Sequence, residues 1–201
     1  MFKIYKIIIF LFFILNAFPL NAHVQHYADL NRIEFDIYRN NSHIGSHIFS
    51  FKKTGDEIHV RSVIRFKIKK LGVVLYRYHA EGIEVYKDGK LIKFNSTTDQ
   101  NKKKKYVNMI LKNDEYIIDG SSYNGVAPKD FLIGTWWNHS IVEAKAQISA
   151  VSGRIIKQKV KFLGKEVIKF EDKSYNTLHY NFSSTDKKLN KDKKLNTDVW
   201  Y

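Results

Sequence analysis

The stretch that decides the fold is EIHVRSVIRFKIKKLGVVLYRYHAEGIEVYKDGK, residues 57–90. Over residues 57–70, Ile58, Val60, Ile64, Phe66 and Ile68 fall on one alternating face. A period of two marks a strand with one packed side and one wet side. Leu71-Gly72 interrupts the run, as a bulge or bend does. Residues 73–86 resume it and end at Lys87-Asp88-Gly89-Lys90, and Asp-Gly between apolar strands predicts a tight hairpin.

The same grammar extends both ways. Upstream, Ile33, Phe35 and Ile37 alternate, Asn40-Asn41-Ser42 turns, residues 44–53 return, and Thr54-Gly55-Asp56 turns again. Downstream, residues 91–98 and 106–112 flank a lysine loop, and Asn113-Asp114 leads into residues 115–119. Residues 120–130 contain Gly125 and Pro128 and read as a longer loop. Residues 131–139 are an apolar strand with Trp136-Trp137, and residues 141–151 fit a strand or a short helix. Strands at 154–162 and 166–171 flank a Leu163-Gly164-Lys165 turn, and residues 177–183 and 197–201 complete the set. About ten to twelve short strands joined by tight turns predict an all-β antiparallel meander with at most one short helix. A sheet that large curls, splits or closes. The expected architecture is a strongly curved sheet or incomplete barrel with an apolar concave side. The chain stops inside a strand signal, Asp198-Val199-Trp200-Tyr201, so a last strand or hairpin is expected to be missing.

Residues 1–22 read as a secretory signal peptide. Lys3 and Lys6 supply the positive start, residues 7–15 form an unbroken apolar run, Asn16 and Pro19 break it, and Ala22 offers a cleavage site. Nine apolar residues are too few for a spanning helix, which needs about 20. The rest, residues 23–201, is expected to be one β domain in an extracytoplasmic space, most simply the periplasm of a Gram-negative bacterium.

The 201 residues carry 34 Lys+Arg against 20 Asp+Glu, a net charge of +14, and no cysteine. Disulfides, thiolate metal sites and cysteine nucleophiles are therefore excluded. The basic balance invites a nucleic-acid reading, but export removes that partner. The positive charge is also mostly lysine, which lacks the bidentate fork of arginine. Two clusters stand out, Lys102, Lys103, Lys104 and Lys105, and Lys187, Lys188, Lys191, Lys193 and Lys194. Both are read as loops: solvated tips, or contacts to an anionic membrane surface or an envelope protein.

Candidate chemistry centres on His79 and Glu81, two apart on one strand face with Arg77. An imidazole beside a carboxylate suits general acid–base work or half a metal site, and these two are the catalytic candidates. The ordinary alternative is a polar pair on the wet face. His43 and His47 flank a strand start, and His23 and His26 sit at the expected mature N-terminus. Pairs fall short of the three or four converging ligands a metal needs, so no metal site or cofactor is assigned. His59, His139 and His179 have no evident partner in sequence. Trp136 and Trp137, adjacent on a strand, are expected to face opposite sides, one in the core and one lining a groove. The ligand-binding candidates are Tyr78, His79, Glu81, Trp136 and Trp137. Asp99 and Asn101 fit a polar turn. Ser121-Ser122 lacks the nucleophile elbow, and no phosphate-cradling loop, zinc-protease helix or dinucleotide fingerprint is present.

Several short segments run in a known order. They are Phe35-Asp36-Ile37-Tyr38 with Ile44-Gly45-Ser46-His47, Tyr78-His79-Ala80-Glu81, and Ser96-Thr97-Thr98-Asp99. Trp136-Trp137-Asn138, Leu163-Gly164-Lys165-Glu166 and Trp200-Tyr201 follow. In this order the chain resembles domain-of-unknown-function family 6134, uncharacterised bacterial secreted proteins. The resemblance implies a fold broadly similar to periplasmic lipoprotein-carrier sheets that cradle acyl chains, and it implies no catalytic residues. The function expected is a non-catalytic carrier or binding protein for a lipid-like, apolar or amphipathic ligand. The alternatives are an envelope interaction protein and a hydrolase or metal enzyme using His79 and Glu81.

Overall fold

The structure is a computed structural model describing residues 30–186 and 194–201. The signal-peptide reading, His23, His26, Lys187, Lys188, Lys191 and Lys193 fall outside the described residues.

Eight strands follow in chain order: β1 (Arg32–Arg39), β2 (Ser42–Thr54), β3 (Glu57–Lys70), β4 (Val73–Lys87), β5 (Lys90–Gln100), β6 (Lys103–Lys112), β7 (Glu115–Gly120) and β8 (Tyr123–Pro128). They form one open antiparallel sheet in that order, with β1 and β8 at its edges. Tight turns with positive φ make the sequence-adjacent pairing possible. Asn40-Asn41, Leu71-Gly72, Asp88-Gly89, Asn101-Lys102 and Asn113-Asp114 all have positive φ at both residues.

A second sheet has the order β13-β12-β11-β10-β9. Its strands are β9 (Leu132–Ile133), β10 (Ala146–Ile148), β11 (Ile155–Phe170), β12 (Lys173–Ser184) and β13 (Asn196–Trp200). β9 and β10 pair in parallel, a departure from the all-antiparallel expectation. The chain between them has room to return in the same direction, through a 3-10 turn at His139–Val142. The Asn138 side chain caps that turn by accepting from Ser140 N at 3.0 Å.

The inner face of the large sheet holds the core. Phe49, Val60, Phe94, Val107, Met109 and Ile118 are all buried, and Ile133, Trp137 and Ile148 from the second unit cover them. Polar contacts pin the cover in place. Ser96 Oγ donates to Ala150 O at 2.5 Å, and Ser122 N donates to Ser152 O at 2.9 Å. Gly120 permits this approach, because a Cβ there would lie 2.7 Å from Ser152 O. Gln158 bridges inside the cover, donating to Ala144 O at 2.9 Å and accepting from Gln147 Nε2 at 2.7 Å.

Five local expectations are corrected. Leu71-Gly72 is the β3–β4 turn itself, whereas Leu163-Gly164-Lys165 is a bulge inside the single long strand β11. The sequence signal was similar at both places. The outcome differs because Leu71 and Gly72 both take positive φ, whereas at 163–165 only Gly164 does. Residues 123–128 are strand β8 rather than loop; Pro128 is tolerated because β8 is an edge. Lys103, Lys104 and Lys105 lie on β6, leaving only Lys102 in the turn. Trp136 and Trp137 are not on a strand: β9 ends at Ile133, and Trp136 has φ 71°. Residues 141–151 resolve into the end of the 3-10 turn and the short strand β10.

Candidate functional site

Empty space lies between the two sheets. Two cavities of about 250 and 300 Å³ share His47, Thr135 and Trp136 in their walls. The first is floored by the inner face of β3–β5, with Tyr78, Phe94 and Ser96, and roofed by Gln147 and Ala150. The second opens between β1 and β13 and is walled by Phe35, Phe49, Trp200 and Tyr201. Aromatic edges and faces line both. Trp136 meets Phe182 edge-on at 5.0 Å, and His47 lies 4.1 Å from Phe49 between ring centroids.

His47 is the titratable side chain common to both cavities. It shares a hydrogen bond of 2.8 Å with the buried Ser62 hydroxyl. Burial pushes its pKa down to about 4, so the ring is neutral near pH 7. A neutral imidazole on a hydroxyl has the outline of a nucleophile–base pair. The depressed basicity makes it a poor base, and no carboxylate orients it among its described contacts. It suits a polar anchor in an apolar pocket.

A second buried group lies deeper. Glu84 is 1% exposed, and its carboxylate accepts from Tyr86 OH at 2.5 Å and Trp137 Nε1 at 2.9 Å. Burial raises its pKa to about 7, and the donors Tyr86, Trp137 and Thr135 offset this only in part. Trp137 packs edge-on against Phe51 at 5.3 Å and Tyr86 at 5.6 Å. This cluster fixes the 131–142 segment to the sheet and so sets the roof over the cavities. The sequence reading missed it. Its signal was Glu84 at an even position of β4, in phase with Tyr86 on the packed face.

The sequence-derived site is split by the parity of β4. Tyr78 and Trp136 both line the first cavity. Trp137 is 3% exposed and packs in the core, yet it also borders the second cavity beside Trp136. His79 and Glu81 project their side chains from the opposite face. There Glu81 takes Arg61 at 2.9 Å, Arg65 at 3.1 Å and His79 Nε2 at 3.0 Å. Partial burial works to raise the Glu81 pKa, but hydrogen bonds from His79, Arg65 and Arg61 prevail and hold it below the usual carboxylate range. Arg65 Nε also lies 3.2 Å from the same His79 nitrogen, which either donates to Glu81 or accepts from Arg65. The carboxylate is thus engaged on every side, on an exposed sheet surface. The geometry fits an ion-pair network better than acid–base catalysis.

Other histidines find carboxylate partners, His59 and His43 close by in the chain and His179 across strand pairings. His59 bonds Glu57 at 2.9 Å and His43 bonds Asp36 at 3.1 Å. His179 takes Glu166 at 2.7 Å on Nδ1 and Asp198 at 3.1 Å on Nε2, and it stacks on Trp200 at 4.2 Å. Desolvation lowers its pKa, but the two carboxylates outweigh that and raise it. His139 faces Tyr201 edge-on at 6.3 Å. Among the described residues, no group of three or more His, Asp or Glu has the geometry to hold a metal ion.

No curated protein and no solved structure matches this chain. One family model does, over residues 35–201, which takes in the Glu84 cluster and, apart from the first three residues of β1, both sheets. The chain belongs to the family described as Domain of unknown function (DUF6134).

Proposed function

We propose that this protein is a non-catalytic binding or carrier protein whose ligand is apolar or amphipathic, such as an acyl chain, and that it works in the periplasm. The observation that carries the reading is the pair of aromatic-walled cavities sharing His47, Thr135 and Trp136. Their walls combine large rings with mostly uncharged polar groups, Glu81 being the charged residue that borders the first, and this is the usual make-up of a small-molecule pocket. The buried imidazole is neutral near pH 7, so an uncharged ligand segment meets no ionic cost there. An enzyme reading is less favoured, because His79 and Glu81 are tied to Arg61 and Arg65 on an open surface. An envelope interaction role at a sheet edge finds support in β8, where Asn124, Gly125 and Val126 are exposed along the edge.

The test is native mass spectrometry of protein purified without detergent, before and after organic extraction. A stoichiometric mass loss matching a lipid is expected. A folded protein with unchanged mass that also fails to bind a fluorescent fatty acid would sink the carrier reading. With the probe bound, Trp136→Ala is expected to weaken binding by about tenfold, the cost of losing a large aromatic wall.

A further inference from the structure

The β3–β4 hairpin outruns its neighbours. Residues 67–70 and 73–76 extend past the last β2 pairing, Gly45 with Phe66, and past the β5–β6 turn, where Asn101 N bonds Arg77 O. Its tip carries bare apolar side chains beside the exposed Lys69 and Lys70: Leu71 is 95% exposed, Val73 62% and Leu75 54%. Leu71 also carries φ 50° in a turn whose counterparts elsewhere in this sheet use Asn, Asp, Gly or Lys. A γ-branched apolar residue there bears two costs at once, left-handed backbone and water contact over almost its whole surface. Such a breach of local rules points to function.

Behind the tip comes a basic collar. Where the hairpin leaves the sheet there is a groove of about 960 Å³ whose cations are Arg65, Lys67, Arg77, Lys102 and Lys104. Asp99 also lines it and takes Lys104 at 2.6 Å, and Glu81 engages Arg65. Among the described residues, no carboxylate pairs with Lys67, Arg77 or Lys102. Four residues of strand separate the tip from Lys67 and Arg77, about 13 Å at 3.3 Å per residue. That is the depth at which a tip buried about 5–10 Å into a bilayer brings its collar to the phosphates.

We propose that the β3–β4 hairpin docks on an anionic bilayer, with Leu71, Val73 and Leu75 entering the headgroup layer and Arg65, Lys67, Arg77, Lys102 and Lys104 meeting lipid phosphates. Lysine-rich clusters favour anionic surfaces through charge, and a protruding apolar tip adds the insertion that charge alone lacks. The membrane contact expected from Lys102–Lys105 is thereby moved, since only Lys102 and Lys104 line the groove and the tip is elsewhere. The proposal goes beyond the cavity reading and does not depend on it.

The chain has no cysteine, so one reporter site is clean. An environment-sensitive dye on the full-length Leu71→Cys variant is mixed with phosphatidylcholine vesicles, with and without phosphatidylglycerol. The dye emission is expected to shift to the blue only with the anionic vesicles. The same dye on Glu115→Cys, at the far end of the sheet, is expected to stay unchanged. Lys67→Gln and Arg77→Gln are each expected to weaken partitioning by about fivefold, and added salt to weaken it further. Because the readout is local, attachment through another part of the chain gives no shift at residue 71 and overturns the proposal. A shift equal on neutral vesicles, or one insensitive to both charge removals, also overturns it. A response to inorganic phosphate with none to vesicles makes the groove a soluble-anion site instead. Loss of vesicle docking with ligand release intact, or the reverse, tells this failure apart from failure of the carrier reading.

Discussion

Glu81 and Glu84 sit three residues apart on β4, and their fates are opposite. Glu81 projects from the outer face into a ring of Arg61, Arg65 and His79, which holds its carboxyl ionised below the usual range. Glu84 projects inward, is sealed under Trp137, and is pushed up to about 7. The residue type is the same, and the strand is the same. One step of parity decides whether the neighbours are charges in water or neutral donors in a core. The chemistry of a strand residue is therefore set by what covers its face.

The largest way to break this contrast is to lift the cover. Trp137→Ala removes two edge-on aromatic contacts and the indole donor to Glu84. The expected loss is about 4 kcal/mol, the range for a buried large aromatic, read by urea unfolding at neutral pH. A loss under about 1 kcal/mol would show that the 131–142 segment is not held through this residue.

Next comes the titration of the inner face. The Glu84 pKa is raised, so its protonated form stabilises the fold fully below pH 4.5, and that contribution is lost as pH rises through about 7. The His47 pKa is lowered, so its contribution is complete above pH 6.5 and is lost as pH falls towards 4. Each swing is about 3 kcal/mol, and the two run in opposite senses over the same window. Their sum is nearly flat between pH 4.5 and 6.5. Relative to the parent, Glu84→Gln is expected to tilt the unfolding free energy upward with pH, and His47→Gln to tilt it downward. Parallel profiles for parent and both variants would break the comparison.

The outer face is expected to respond least. Glu81→Gln should change stability by less than about 1 kcal/mol, and added salt should shrink even that. A larger, salt-insensitive loss in thermal unfolding would mean that the outer face is covered in solution.

Much of the large sheet was legible because its signals are local. Alternation at Ile58, Val60, Ile64 and Phe66 and the Asp88-Gly89 turn each concern a few adjacent residues, and a meander pairs each strand with the next. Leu71-Gly72 and Leu163-Gly164 were misread in opposite directions. A turn and a bulge ask for similar residues and differ in the path of the next strand. The second sheet was harder to read, because the β9–β10 pairing and the placement of Trp136 depend on an irregular segment with no period. Of the site residues, Trp136 and Tyr78 were found as aromatic candidates. His47 was seen only as part of a pair with His43, and His179 showed no partner because Glu166 and Asp198 reach it across strand pairings.

By itself the sequence determined the all-β class, the meander order of the first seven strands, the alternation along β1 and β3, and that His79 and Glu81 would share one face of β4. Alternation and turn chemistry act over a handful of bonds, so they can be read without knowing what lies opposite. The tertiary structure alone decided which face was covered, and with it the neutral His47, the high pKa of Glu84 and the cavities around Trp136. Desolvation is a property of the assembled surroundings, and no run of residues along β4 carries it.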